Sequence, residues 1–223
     1  MSLIIAFSVR DGIAVGSDKC TTHRENGRTS HSMDSNKIVV YPHRCVAVHC
    51  GDYFVDKNVS VQEFLESCSD IAKRSKSITD IPLAILNRYN RKKYKSDNTF
   101  FICGFDGDGN GAIYEIKTKT QSVSQKLGNH EYGGCWAGIF DIANPMLRSA
   151  QCDRISLTDA ASLEKLAIEA TGLSQLHCGV EITVGNVADV YVMTRNGDKD
   201  GWFIGGPSLH TEKGNPVNEC DKS

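Results

Sequence analysis

Two His-Cys-Gly triplets, His49-Cys50-Gly51 and His177-Cys178-Gly179, supply the residue types of a tetrahedral zinc site. Adjacent residues on a strand point to opposite faces, so each triplet would struggle to present both ligands to one metal. A buried thiol beside an imidazole is the simpler reading, and no metal is expected. Asp106, Asp108 and Asn110 match the start of a calcium loop, but Lys117 stands where a bidentate glutamate is required, so these residues read as a turn. Arg88, Arg91, Lys92, Lys93 and Lys95 fall at the end of a predicted helix, where cations complement the macrodipole. Ser2 offers different chemistry. A methionine before so small a residue is of the kind that cytosolic aminopeptidases remove, which leaves a hydroxyl and a free α-amine on one residue. A serine hydroxyl is a poor nucleophile until a base takes its proton, and an amine of pKa roughly 7.7–8.0 can take it directly or through one water.

The elements that must carry these residues follow from periodicity. Residues 2–9 form an apolar β-rich run, Asp11-Gly12 is a hairpin turn signal, and IAVGSD follows as a second strand. Residues 21–35 read as a loop or irregular hairpin, and KIVVY and CVAVH as strands separated by Pro42-His43-Arg44. Val61, Phe64, Leu65, Cys68 and Ile71 then recur at helical spacing, and Ile81, Leu83, Ala84, Leu86 and Tyr89 sustain a second helix. TFFICGF and GAIYEI predict a hairpin, and residues 134–137 a further strand. Residues 141–149 and 159–171 are predicted helices, the second with Thr158 or Asp159 as N-cap and Gly172 as its stop. GVEITV and ADVYVMT predict paired strands around Gly185-Asn186. No linker divides the chain, so residues 1–205 are expected to form one domain of layered α and β structure, with 206–223 a polar tail.

The composition, 40% hydrophobic and 23% charged with a formal net charge of −2, is that of an ordinary globular protein without a polyanionic partner. No apolar run approaches the roughly 20 residues of a membrane helix, and the N-terminus lacks a signal peptide's features. Neither nucleic acid nor membrane is therefore an expected partner, and the predicted location is cytoplasmic. Nine cysteines without CxxC pairs read as reduced, mostly buried thiols.

SLIIAFSVRDGIAVGSDKCTT, followed by NKIVVY and CVAVHCGD, resembles the opening of proteasome β-subunits, members of the N-terminal-nucleophile hydrolase superfamily. TFFICGFDGDG resembles the family's central hairpin and GVEITVGNVADVYVMT its closing strands. The resemblance implies an α+β fold arranged as a four-layer α-β-β-α sandwich, no cofactor, and assembly into a homo-oligomeric ring. In that family the nucleophile starts strand one, an aspartate ends strand two, a lysine opens the next strand and a glycine follows the strand after that. Those positions fall on Ser2, Asp18, Lys37 and Gly51; Lys37 lies a few residues further along than usual, which implies a longer loop before it. The implied roles are Ser2 as nucleophile, Lys37 as the charge that favours deprotonation, and Asp18 as its support. Gly51 is the implied oxyanion donor, with Thr22 and His49 grouped beside it on the oxyanion and substrate-binding side. The expected activity is hydrolysis of an amide bond in a peptide through an acyl-enzyme.

Departures from the pattern bear on that activity. Cys135-Trp136-Ala137-Gly138 stands where the family has Gly-Ser-Gly, so the serine that commonly supports the amine is missing. The family's Asp and Ser before the late strand are not evident in LSQLHCGVEI, where Ser174, Gln175, His177 or Cys178 would have to replace them. Cys20 occupies a position often basic, and a serine lacks the methyl that helps fix a threonine rotamer. Two alternatives stay open: a non-catalytic proteasome-like assembly or scaffold subunit, and a small-molecule amidase or transpeptidase on the same fold.

Overall fold

The computed structural model describes residues 2–25, 28–196 and 201–204. The opening apolar run becomes β1 (Leu3–Val9) and β2 (Gly12–Asp18), with every residue of both buried. Both faces of this pair are covered, which is why its sequence runs almost continuously apolar instead of alternating. Arg10 and Asp11 make the turn, with Val9 opposite Gly12. Gly12 serves close approach and not the turn itself: a Cβ there would lie 2.1 Å from the Met193 carbonyl oxygen, on the neighbouring strand β13 (Ala188–Thr194).

One antiparallel sheet runs β12-β1-β2-β13-β14, with β12 (Gly133–Gly138) and β14 (Trp202–Ile204) at its edges. The other runs β11-β10-β9-β6-β5, from β5 (Ile38–Tyr41), β6 (Cys45–Gly51), β9 (Asn98–Phe105), β10 (Gly111–Lys117) and β11 (Ser122–Leu127). Two small hairpins pair β3 (Thr21–Glu25) with β4 (Arg28–Ser32) and β7 (Phe54–Asp56) with β8 (Val59–Ser60). Helices α1 (Val61–Ser67), α2 (Ser69–Arg74) and α3 (Asp80–Arg91) precede β9, and α4 (Ala143–Arg148) and α5 (Leu157–Cys178) precede β13.

Three apolar clusters hold these pieces. Phe64, Leu65, Ile85 and Tyr89 of α1 and α3 pack on Ala47, Phe100 and Ile102 of the second sheet. Leu3, Ile5 and Phe7 pack with Ala160, Ala167 and Ile168 of α5, while Ile4 and Ala6, pointing the other way, join Val46, Val48 and Phe101 across the two sheets. The architecture is mixed α+β with antiparallel sheets.

Local departures from the sequence reading have identifiable causes. The first helical stretch divides at Cys68, whose N–H closes α1 by donating to Leu65 O while its own φ of −84° and ψ of 0° leave the helical range. The N-cap of α5 is Ser156, in a capping box with Asp159. This helix runs past Gly172 to Gly179, which takes the left-handed conformation at φ 65°. Gly172 is an interior contact instead, since a Cβ on it would lie 2.5 Å from Gly185. GVEITV is not a strand: Gly179 caps α5, and the amides of Thr183 and Val184 bond to the Gln175 side chain in place of a ladder. The edge strand β11 is mostly exposed and polar, so its sequence carried no apolar alternation. The polar tail expected after residue 205 lies outside the described residues. Among the described residues no helix is long and apolar enough to cross a membrane, and eight cysteines are unpaired, six of them buried.

Candidate active site

Ser2 stands at the head of β1 and is only 5% exposed. Its carbonyl accepts from Ile139 N at 3.0 Å, just beyond β12. Gly138, at φ 102°, fits against that carbonyl so closely that a Cβ would fall 1.7 Å from the oxygen. Asp18, the last residue of β2, is fully buried. Its Oδ1 accepts from Leu3 N at 2.9 Å, and its Oδ2 from Cys20 N at 2.9 Å, Gly185 N at 3.1 Å and Lys37 Nζ at 2.9 Å. Four donors therefore converge on one carboxylate, satisfying it where water cannot. Lys37 lies just before β5 and is 4% exposed. Its Nζ donates to Ser2 Oγ at 2.8 Å, Asp18 Oδ2 at 2.9 Å and Cys20 O at 2.6 Å, so all three ammonium donors are engaged.

Gly51 closes β6 at φ 123°, and a Cβ there would lie 2.2 Å from Asp97 O, so only glycine fits. His49, two residues earlier, uses its backbone N–H on Lys37 O at 3.3 Å. Its ring is buried and Nε2 has no partner among the described residues; desolvation, helped by the Lys37 charge, lowers its pKa to about 3, which leaves the imidazole neutral near pH 7. Thr22, on β3, donates through Oγ1 to Ile182 O at 3.4 Å and lies 3.2 Å from His31 Nδ1. Hydrogen bonds thus bring Ser2, Asp18 and Lys37 together. Among the described residues, His49 bonds to that group through the Lys37 backbone, and no bond to it from Gly51 or Thr22 occurs. A cleft of about 360 Å³, lined by Asp52, Phe54, Lys93 and Tyr94 among others, adjoins the Gly51 end of β6.

Two contributors have backbone roles that residue type does not reveal. Cys20 donates its N–H to Asp18 and its carbonyl accepts from Lys37. Its thiol is shifted up, first by burial and then by the Asp18 charge, so it stays protonated. Gly185 supplies the fourth donor to Asp18. Of Ser174, Gln175, His177 and Cys178, only Gln175 is buried. His177 and Cys178 end α5 in the open while His49 and Cys50 are buried on β6, and among the described residues no cluster of three metal-ligating side chains occurs. At β12, Trp136 pairs with Ile5 and Ala137 with Ile4, so no hydroxyl occupies either position.

No family model and no curated protein matches the chain. Solved structures do. Anbu from Hyphomicrobium sp. strain MC1 superposes with a TM-score of 0.70 at 14% identity, covering 91% of this chain and 87% of that one. Anbu, described as an ancestral β-subunit, from Yersinia bercovieri gives a TM-score of 0.69 at 12% identity, over 91% and 86%. A helical assembly of the Anbu complex from Pseudomonas aeruginosa gives 0.69 at 15%, over 91% and 86%. The fold is thus similar to that of Anbu proteins. Assignment to the N-terminal-nucleophile hydrolase superfamily is corrected by the same finding: these neighbours are described as Anbu, one of them as an ancestral β-subunit and none as such a hydrolase, and neither a family model nor a curated protein supports membership.

Proposed function

We propose that this chain hydrolyses amide bonds, with peptides as substrates, and that Ser2 is the nucleophile once Met1 has been removed. The observation that carries this reading is the full engagement of Lys37, whose three N–H groups go to Ser2 Oγ, Asp18 and the Cys20 carbonyl. An ammonium so bound has no lone pair, so Lys37 acts as a fixed charge that eases deprotonation of Ser2 and not as the base. His49 is too weakly basic for the task. The α-amine freed on Ser2 is the base left, a group whose reference pKa in free peptides is roughly 7.7–8.0. It takes the hydroxyl proton as Oγ attacks the carbonyl carbon, then gives that proton to the leaving amine as the C–N bond breaks. Water repeats the cycle and releases the acid. In this scheme the Gly51 N–H steadies the oxyanion, and Thr22 and His49 contact substrate.

The same reading takes residues 1–205 as one domain in four layers, α-β-β-α, an order supported by the three apolar clusters. It takes the protein as cytoplasmic, in keeping with the unpaired thiols among the described residues. Self-association is proposed by likeness to the helical Anbu assembly. Ala137 and Trp136, which offer no hydroxyl near Ser2, favour a second reading as a non-catalytic, proteasome-like subunit.

The deciding measurement is the intact mass of untagged protein before and after treatment with phenylmethanesulfonyl fluoride. Loss of Met1 with one adduct that Ser2→Ala abolishes is the expected result; retained Met1 with no adduct removes the nucleophile and leaves the non-catalytic reading.

A further inference from the structure

We infer that Gln175 is a positioning residue for the candidate site, holding the Gly185 amide against Asp18 from the far side of the loop before β13; its catalytic consequence rests on the hydrolase reading above. Asp18 Oδ2 takes three donors, and two of them, Cys20 N and Lys37 Nζ, belong to segments anchored by β2 and β5. The third, Gly185 N, comes from a stretch between Gly179 and Ala188 that belongs to no sheet. Something other than a ladder has to fix it.

The fixing comes from α5. Gln175 Oε1 accepts from both Thr183 N and Val184 N at 2.9 Å, and its Nε2 donates to Thr183 Oγ1 at 3.1 Å. All three residues are buried, so without Gln175 two backbone amides would lose their partners out of reach of water. One turn earlier on the helix, Gly172 lets Gly185 approach so closely that a Cβ would lie 2.5 Å from its carbonyl carbon. A side-chain pin and a glycine socket thus set the amide that meets Asp18, and Asp18 orients the Lys37 ammonium that meets Ser2. Gln175 touches neither Ser2 nor Lys37; it acts through the carboxylate, as outer ligands act through inner ones.

The test uses the full chain with Met1 removed and compares wild type, Gln175→Met, Gln175→Glu and Ile168→Val. Gln175→Met keeps the length and loses the acceptor, Gln175→Glu restores an acceptor, and Ile168→Val trims the same helix inside its apolar cluster as a stability control. Two readouts are taken: the rate of Ser2 labelling by phenylmethanesulfonyl fluoride, and amide hydrogen exchange at Gly185. We expect Gln175→Met to slow labelling about 10–100-fold and to speed Gly185 exchange by a similar factor. Gln175→Glu should recover at least part of both, and Ile168→Val should change neither beyond about 2-fold. Unchanged exchange at Gly185, or unchanged labelling despite faster exchange, overturns the inference. A wild type that labels no faster than Ser2→Ala sinks the hydrolase reading instead, and the pinning role then stands or falls on the exchange data.

Discussion

Replacing Asp18 with asparagine keeps the side chain's shape and removes its charge. The carboxylate takes Leu3 N on one oxygen and Cys20 N, Gly185 N and Lys37 Nζ on the other. An amide has a single oxygen, so its NH2 must face at least one of these donors. In the better orientation Leu3 N loses its acceptor, and a buried amide left unpartnered costs about 1–3 kcal/mol. Lys37, 4% exposed, loses its counter-charge, and breaking a buried pair from one side costs about 3–5 kcal/mol. Local relaxation recovers part of that, so we expect a net loss of about 4 kcal/mol in urea unfolding at pH 7. Lys37→Met in the Asp18→Asn background removes the stranded charge. The double variant should therefore be more stable than Asp18→Asn alone, with a coupling energy of about 2 kcal/mol or more. Single and double variants alike should lose Ser2 labelling. Stabilities that add to within about 0.5 kcal/mol would show that the pair is uncoupled and that the electrostatic account of the site is wrong.

Other outcomes follow from single contacts. Burial holds the Glu164 carboxyl well above its ordinary value, offset only in part by the Phe7 backbone, so the folded state keeps a proton that the unfolded state gives up above about pH 4.5. Wild type should lose stability relative to Glu164→Gln by about 1.4 kcal/mol per pH unit above that point until the folded carboxyl ionises, and parallel urea curves from pH 5 to 7 would falsify this. Gly138→Ala puts a Cβ 1.7 Å from the Ser2 carbonyl oxygen and should cost about 2–4 kcal/mol and abolish Ser2 labelling, whereas Gly107→Ala, with open space around it, should do neither. Gly51→Ala, at φ 123° and 2.2 Å from Asp97 O, should lower kcat on a peptide substrate about 100-fold or more if its amide is the oxyanion donor; unchanged kcat in a folded variant would clear Gly51 of that role.

Ser2, Asp18 and Lys37 were picked out by resemblance to proteasome β-subunits, as positions at the ends of apolar strand runs, and hydrogen bonds bring the three together. A two-residue turn and two seven-residue strands bring residue 18 back beside residue 2 with no tertiary information. The superfamily assignment drawn from the same residues did not survive, since a layout of strand ends carries a fold and not a lineage. The roles of Cys20 and Gly185 were illegible for a different reason: both act through backbone groups, which every residue type possesses. GVEITV misled because alternating β-branched residues fit any half-buried extended segment, and here Gln175 took the amides that a partner strand would have used. Gly172 and Gly179 exchanged roles for the same kind of reason, one chosen by contact with Gly185 and the other by φ.

The placement of the site follows from the two antiparallel sheets. Ile4 lies opposite Ser17 and Ile38 opposite Val48, so the start of β1 neighbours the end of β2, and the start of β5 neighbours the end of β6. The apolar cluster shared by both sheets brings these two pairs of ends to one rim. A lysine buried at such a rim needs a counter-charge whose own valences are filled, and no single element can fill them. Asp18 therefore collects donors from the head of β1, the exit of β2, the entry of β5 and the loop before β13. It is at once the partner of Lys37 and the joint between four segments, so its variants lose stability and reactivity together. Ser2→Ala withdraws only one of the three acceptors of Lys37 and leaves every bond to Asp18 in place. Comparing that variant with Asp18→Asn separates what the site does from what holds it together.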